Sequence, residues 1–130
     1  MLAGRTGTGK TKLLNGCSNS IDLEGLANHR GSSFGHYVSP QPSQIDFENH
    51  IASNYLKLHS QKIKRIVLED EGRLIGRLVL PESLYKKMQQ SPMILVESSL
   101  EQRVEITLND YIISNYNDFL KTYPYINSHL

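Results

Sequence analysis

The stretch Gly4-Arg5-Thr6-Gly7-Thr8-Gly9-Lys10-Thr11 constrains this chain more than any other. It fits G-x-x-x-x-G-K-[ST], a loop whose glycines allow a tight turn that aims successive backbone N–H groups at phosphate oxygens. Lys10 brings a point charge to the outer phosphates, and the Thr11 hydroxyl is suited to a Mg²⁺ bound with them. Lys12, Leu13 and Leu14 continue as the first turn of a helix, whose N-terminus adds partial positive charge. The expected phosphate-binding set is therefore Gly4, Arg5, Thr6, Gly7, Thr8, Gly9, Lys10 and Thr11.

Such a loop ordinarily joins a buried strand to a helix. The rest of the chain alternates apolar runs with helical patterns, near Ile21, from Ile66 to Leu68 and over residues 93–96. The expected fold is a three-layer α/β domain of the P-loop NTPase-like kind with a mainly parallel sheet. All 130 residues suit one domain. Truncation at both ends is expected, because only Met1, Leu2 and Ala3 precede Gly4 and the closing Tyr123-Pro124-Tyr125 leads into no further element.

Composition narrows the partners. With 14 basic and 13 acidic residues the net charge is +1, so any RNA site has to be a local patch rather than a broad basic face. The longest apolar run, Met93-Ile94-Leu95-Val96, is far below the ~18 residues of a membrane span. One cysteine, Cys17, excludes an internal disulfide and suits a cytoplasmic protein. It follows Gly16 and reads as a structural thiol; no C-x-x-C pair, metal-spaced His cluster or Ser-His-Asp set is legible.

Residues 19–23 read as a second strand running into Asp22, Leu23 and Glu24. The loop that follows, Gly25-Leu26-Ala27-Asn28-His29-Arg30-Gly31-Ser32-Ser33-Phe34-Gly35, would lie at the carboxyl edge of the sheet. Residues 36–44 read as a polar connector or flap. Ser43 with Asp46 forms a candidate capping box, opening a helix to about Ser60 whose apolar stripe is Ile45, Ile51, Ala52, Tyr55, Leu56 and His59, with Phe47 off it. Ile66-Val67-Leu68 followed by Glu69-Asp70-Glu71 has the form of a buried parallel strand ending in acids. There Glu69 or Asp70 is a candidate to join Thr11 at Mg²⁺, and in an extended strand the two face opposite sides. Arg73 and Arg77 suit planar phosphate recognition. Pro81 opens a helix through Met88, and Ser98 with Glu101 or Ser99 with Gln102 caps another, which carries Arg103. Tyr111, Ile112, Ile113, Tyr116, Phe119, Leu120 and Tyr123 make a last helical stripe.

Several of these stretches together resemble the P-loop domain of bacterial tRNA 2-selenouridine synthase. They are the phosphate loop, Asp22-Leu23-Glu24-Gly25-Leu26-Ala27-Asn28-His29-Arg30-Gly31-Ser32-Ser33-Phe34-Gly35, Gln41-Pro42-Ser43-Gln44 with Phe47-Glu48-Asn49, and Leu68-Glu69-Asp70-Glu71-Gly72-Arg73-Leu74-Ile75-Gly76-Arg77 with Leu80-Pro81. The resemblance implies a cytoplasmic tRNA-modifying transferase that replaces the sulfur of wobble 2-thiouridine with selenium from selenophosphate, through a geranylated intermediate made with geranyl diphosphate. It also implies a rhodanese-like domain, holding the nucleophilic cysteine, as a partner outside this chain; Cys17 does not match that cysteine. His29, Arg30, Arg73, Arg77 and Arg103 are the expected tRNA or substrate contacts. The residues alone leave open a P-loop small-molecule kinase or NTPase, or an RNA-binding module.

Overall fold

The computed structural model describes residues 1–30, 37 and 39–110. The stripe from Tyr111 to Tyr123, the Tyr123-Pro124-Tyr125 tail and the Gly31-Ser32-Ser33-Phe34-Gly35 part of the expected loop lie outside them.

Four parallel segments form the sheet. β1 (Leu2–Ala3) pairs with β4 (Ile94–Leu95) on one side, Leu2 opposite Ile94 and Ala3 opposite Leu95. On its other side lies the 66–69 segment, joined by Leu2 N–H to the Leu68 carbonyl and Asp70 N–H to the Leu2 carbonyl, both 2.7 Å. That segment pairs in turn with Ser20, through Ile21 N–H to Val67 (3.0 Å) and Val67 N–H to Asn19 (2.9 Å). The spatial order is thus Ser20, Val67, β1, β4. The 66–69 segment is paired along both edges, and its apolar side chains are at least half-buried, Leu68 in the main core cluster and Ile66 packed against it. The fold is α/β with a parallel sheet and helices, and no helix among the described residues is long and apolar enough to cross a membrane.

Local chemistry accounts for the helix starts. α1 (Lys10–Asn15) opens directly from the glycine loop, with Gly9 as its N-cap. α3 (Gln44–Ser60) starts at Ser43, whose Oγ accepts from the Asp46 N–H. α4 (Glu82–Gln89) follows Pro81. At α5 (Leu100–Leu108) the cap is Ser99, with both arms of the Ser99–Gln102 box made, so the Ser98 option is not the one used. Between α3 and α4, β2 (Leu74–Ile75) and β3 (Leu78–Val79) form an antiparallel hairpin across Gly76 and Arg77. Gly76 has φ +60°, the left-handed conformation that two-residue hairpin turns require.

Two expectations are corrected. Residues 19–23 do not run on as a strand: pairing stops at Ser20 and Ile21, and α2 (Leu23–Ala27) begins at once. The reason is Asp22, whose Oδ1 accepts from the Gly25 N–H at 2.7 Å and caps the new helix. The second correction is the buried face of α3. Phe47, Ile51 and Leu58 face the core while Ile45 is 71% exposed, and Tyr55 and Leu56 are also exposed. Offsets of four and eleven residues bring Phe47, Ile51 and Leu58 within about 40° of arc on a 3.6-residue helix. They join Ile21, Leu23, Ala27, Leu68, Ile75, Leu78, Leu80 and Met88 in the main core cluster. This core fixes α2 and the end of the 66–69 segment, the two elements that flank the glycine loop.

Candidate functional site

The carboxyl ends of the parallel segments converge. Gly4 follows β1, Asp22 follows the Ser20 segment, Glu69 and Glu71 end the central one, and Ser98 lies beyond β4. Crevices beyond the carboxyl ends of parallel strands are where open α/β sheets hold ligands. A cleft of about 660 Å³ opens here. Its floor is the loop from Arg5 through Thr11, and its walls include Asp22 and Glu24 of the α2 start, Arg30, Tyr37, and Ile106 on α5.

Internal bonds hold the loop. Buried Thr8 donates through both its N–H (3.2 Å) and its Oγ1 (2.8 Å) to the Arg5 carbonyl. Lys10 Nζ reaches back to the Gly4 carbonyl at 2.6 Å, so the ammonium spans the loop. From α5, packed against the loop, Arg103 Nε donates to the Thr6 carbonyl at 3.0 Å. Gly7, at φ +81°, leaves no room for a side chain: a Cβ would lie 2.5 Å from the Arg103 carbonyl oxygen and 2.6 Å from Thr107 Oγ1. Gly7→Ala is expected to cost about 1–2 kcal/mol in backbone strain alone and to push α5 away from the loop. Urea unfolding checks the first effect. A shifted Arg103 environment in NMR spectra checks the second, and unchanged stability would contradict both.

Beside the loop is a set of crowded carboxyls. Glu69 is 4% exposed; its Oε1 accepts from the Glu24 N–H at 2.8 Å, whereas its Oε2 is buried with no hydrogen-bond partner. Burial, reinforced by the Asp22 charge, pushes the Glu69 carboxyl up to about 8 from 4.5. Glu24 rises likewise to about 8, through burial first and then its hydrogen bond and repulsion with Glu71; Lys10 opposes the rise. Glu71 is raised by burial, with Glu24 and Lys10 pulling the other way. Among the described residues no group of three or more His, Cys, Asp or Glu side chains is arranged to hold a metal ion.

The sequence candidates separate into two sets. Residues Arg5 through Thr11 and Arg30 line the cleft. Gly4 anchors Lys10, and Arg103 braces the loop backbone. His29, by contrast, is 4% exposed and packed against the hairpin turn, where a Cβ on Gly76 would lie 2.8 Å from its Cδ2. Arg77 donates to the Gln41 and Pro42 carbonyls at 2.8 and 3.4 Å, so it ties the hairpin to the connector. Arg73 is exposed at the hairpin base, outside the cleft lining. The central acids divide as an extended strand requires, Glu69 inward and Asp70 exposed. Sequence reasoning missed Tyr37, Asp22, Glu24 and Ile106 as cleft residues. The Asp22 cap was detectable from its three-residue spacing to Gly25. Tyr37 offered only an aromatic in a polar connector, and Ile106 only one apolar position on a helix.

The family described as "tRNA 2-selenouridine synthase AAA domain" matches residues 1–128. Among curated proteins, the tRNA 2-selenouridine synthase of Marinobacter nauticus is 55% identical over 112 residues, covering 86% of this chain and 30% of the relative. That of Pseudomonas putida is 51% identical over 120 residues, 92% of this chain and 33% of the relative. The Sulfurovum protein of the same name is 45% identical over 123 residues, 95% and 34%. The chain thus spans about a third of the length of these relatives. No solved structure matches it. With the glycine loop, the α2 start and the acid-ended central strand all inside the matched region, the chain belongs to the tRNA 2-selenouridine synthase AAA-domain family.

Proposed function

We propose that this chain is the phosphate-handling domain of a tRNA-modifying transferase, built as a three-layer P-loop domain. In that enzyme the sulfur of wobble 2-thiouridine is replaced by selenium from selenophosphate through a geranylated intermediate. The observation that carries the reading is the glycine loop with Lys10 and Thr11 at the floor of a cleft on the carboxyl edge of the sheet. A diphosphate would meet the loop N–H groups and draw Lys10 Nζ from the Gly4 carbonyl onto its outer oxygens. As the geranyl group is transferred from geranyl diphosphate, the same groups stabilise the departing pyrophosphate, electrostatic catalysis at the charge that develops. The tRNA would approach through Arg30, and the rhodanese-like partner domain would supply the cysteine chemistry.

Mg²⁺, when bound with the diphosphate, supplies further neutralisation of the phosphate oxygens. Thr11 is the residue in the cleft lining suited to hold it, and Glu69 lies buried behind Glu24. Asp70 is exposed and outside the cleft lining, so this reading assigns it no contact with the ion.

Calorimetry with geranyl diphosphate, selenophosphate and ATP, each with and without Mg²⁺, tests the assignment. Geranyl diphosphate is expected to bind, and Lys10→Ala to weaken it by ~1.5–3 kcal/mol, the range for a hydrogen bond to a charged group. An unaltered dissociation constant in the variant would remove the phosphate role from Lys10. Preference for ATP, with its hydrolysis, would favour a small-molecule kinase or NTPase instead.

A further inference from the structure

The cleft combines a phosphate-type floor with a different chemistry on one wall. There the Arg30 guanidinium lies over the Tyr37 ring, 4.3 Å from its centroid. Both residues line the same cleft as Lys10 and Thr11, and neither is fully buried. A guanidinium on an aromatic face is a cation–π contact, an attraction that favours this arrangement of the two groups. Flat aromatic and guanidinium faces are the surfaces on which proteins stack unpaired bases, and the stack tolerates any base because every base has a π face. Tyr37 has two rotatable bonds, so little freedom remains to be lost when a ligand stacks there.

We infer that Tyr37, held by Arg30, is the stacking platform for a nucleobase whose phosphate-bearing portion, or co-substrate, occupies the glycine loop. The inference deepens the proposed function and rests on its nucleic-acid reading. Arg30 and Tyr37 divide the work: the cation contributes charge toward a backbone phosphate as well as the stack, while the ring contributes surface alone. A stacked base excludes water from one side of the cleft and sets the reach of its exocyclic atoms toward the loop. Tyr37 is a specificity and positioning residue in this scheme. The base could belong to a tRNA or to a free nucleotide, and the experiment separates these sources.

The test uses the 130-residue chain with three probes: an anticodon stem-loop RNA carrying 2-thiouridine at the wobble position, ATP, and inorganic pyrophosphate. Tyr37→Ala is expected to weaken RNA binding on the order of tenfold to a hundredfold, as loss of one stacked base does. Tyr37→Phe should restore most of it, because the ring and not the hydroxyl supplies the stack. The salt dependence of RNA binding should keep its slope in Tyr37→Ala and flatten by about one phosphate contact in Arg30→Ala. Pyrophosphate affinity and the thermal midpoint should stay at wild-type values in Tyr37→Ala, which separates stacking from a merely structural clamp. Weakening confined to ATP would identify the base as that of a free nucleotide and still support the platform. If wild type binds RNA or ATP and Tyr37→Ala binds both equally well, the platform is wrong while the nucleic-acid reading survives. Pyrophosphate binding with no binding of RNA or ATP by wild type would overturn both.

Discussion

Phe47→Ala is expected to destabilise the domain by about 3–5 kcal/mol, the range for emptying a fully buried aromatic site. Phe47 has no exposed surface and sits in the cluster that includes Leu23 and Ala27 of α2 and Leu78 and Leu80 of the hairpin region. Such a loss is a large share of the 5–15 kcal/mol that holds a typical domain together. The effect should reach the site as well, because α2 carries Glu24 and starts at Asp22, both on the cleft wall. Ile45→Ala, two residues away on the opposite face, should change stability by no more than about 0.5 kcal/mol. Urea unfolding of the two variants decides the matter, and equal shifts would mean that α3 buries a different face.

That pair also shows where the sequence was legible. Three helix starts were, because each depends on chemistry within four residues: Ser43 with Asp46, Ser99 with Gln102, Pro81 at the head of α4; the start of α2 at Asp22 was read as strand instead. The central strand was legible too, since a strand with side chains covered on both faces reads as an unbroken apolar run, here ending in acids. The face of α3 was not. Ile45, Tyr55 and Leu56 compete with Phe47, Ile51 and Leu58 in apolar count, and only the partners from α2 and the hairpin choose between them. The same limit governed the cleft. Residues 5–11 are contiguous and self-announcing, whereas Tyr37 and Ile106 come to the loop through folding of distant segments. His29 and Arg30 are neighbours in sequence, yet one is buried against Gly76 and the other lines the cleft; no local pattern distinguishes them.

Stability should fall as pH is raised from about 4.5 to about 8. Glu24 and Glu69 titrate near 8 in the folded protein against 4.5 for the free side chain, chiefly because burial disfavours the charged form. Within that window the native state holds protons that the unfolded chain has released. The slope of unfolding free energy against pH is therefore negative, at up to about 1.4 kcal/mol per pH unit for each such proton. Below 4.5 both states are protonated and the contribution is complete; above 8 both are ionised and it has been lost. Glu71, also raised, acts in the same sense. Glu69→Gln isolates the central member, since its carboxamide oxygen can still accept the Glu24 N–H while no charge forms. The variant should have a flatter stability profile and gain on wild type as the pH approaches 8. Its missing charge should also let Glu24 ionise at lower pH, because Glu69 is one of the groups that raise it. Urea midpoints at pH 5, 6.5 and 8, each about a unit or more apart, read the slope directly. Parallel profiles for wild type and variant would show that Glu69 ionises freely in the folded state and would leave the slope to Glu24 and Glu71.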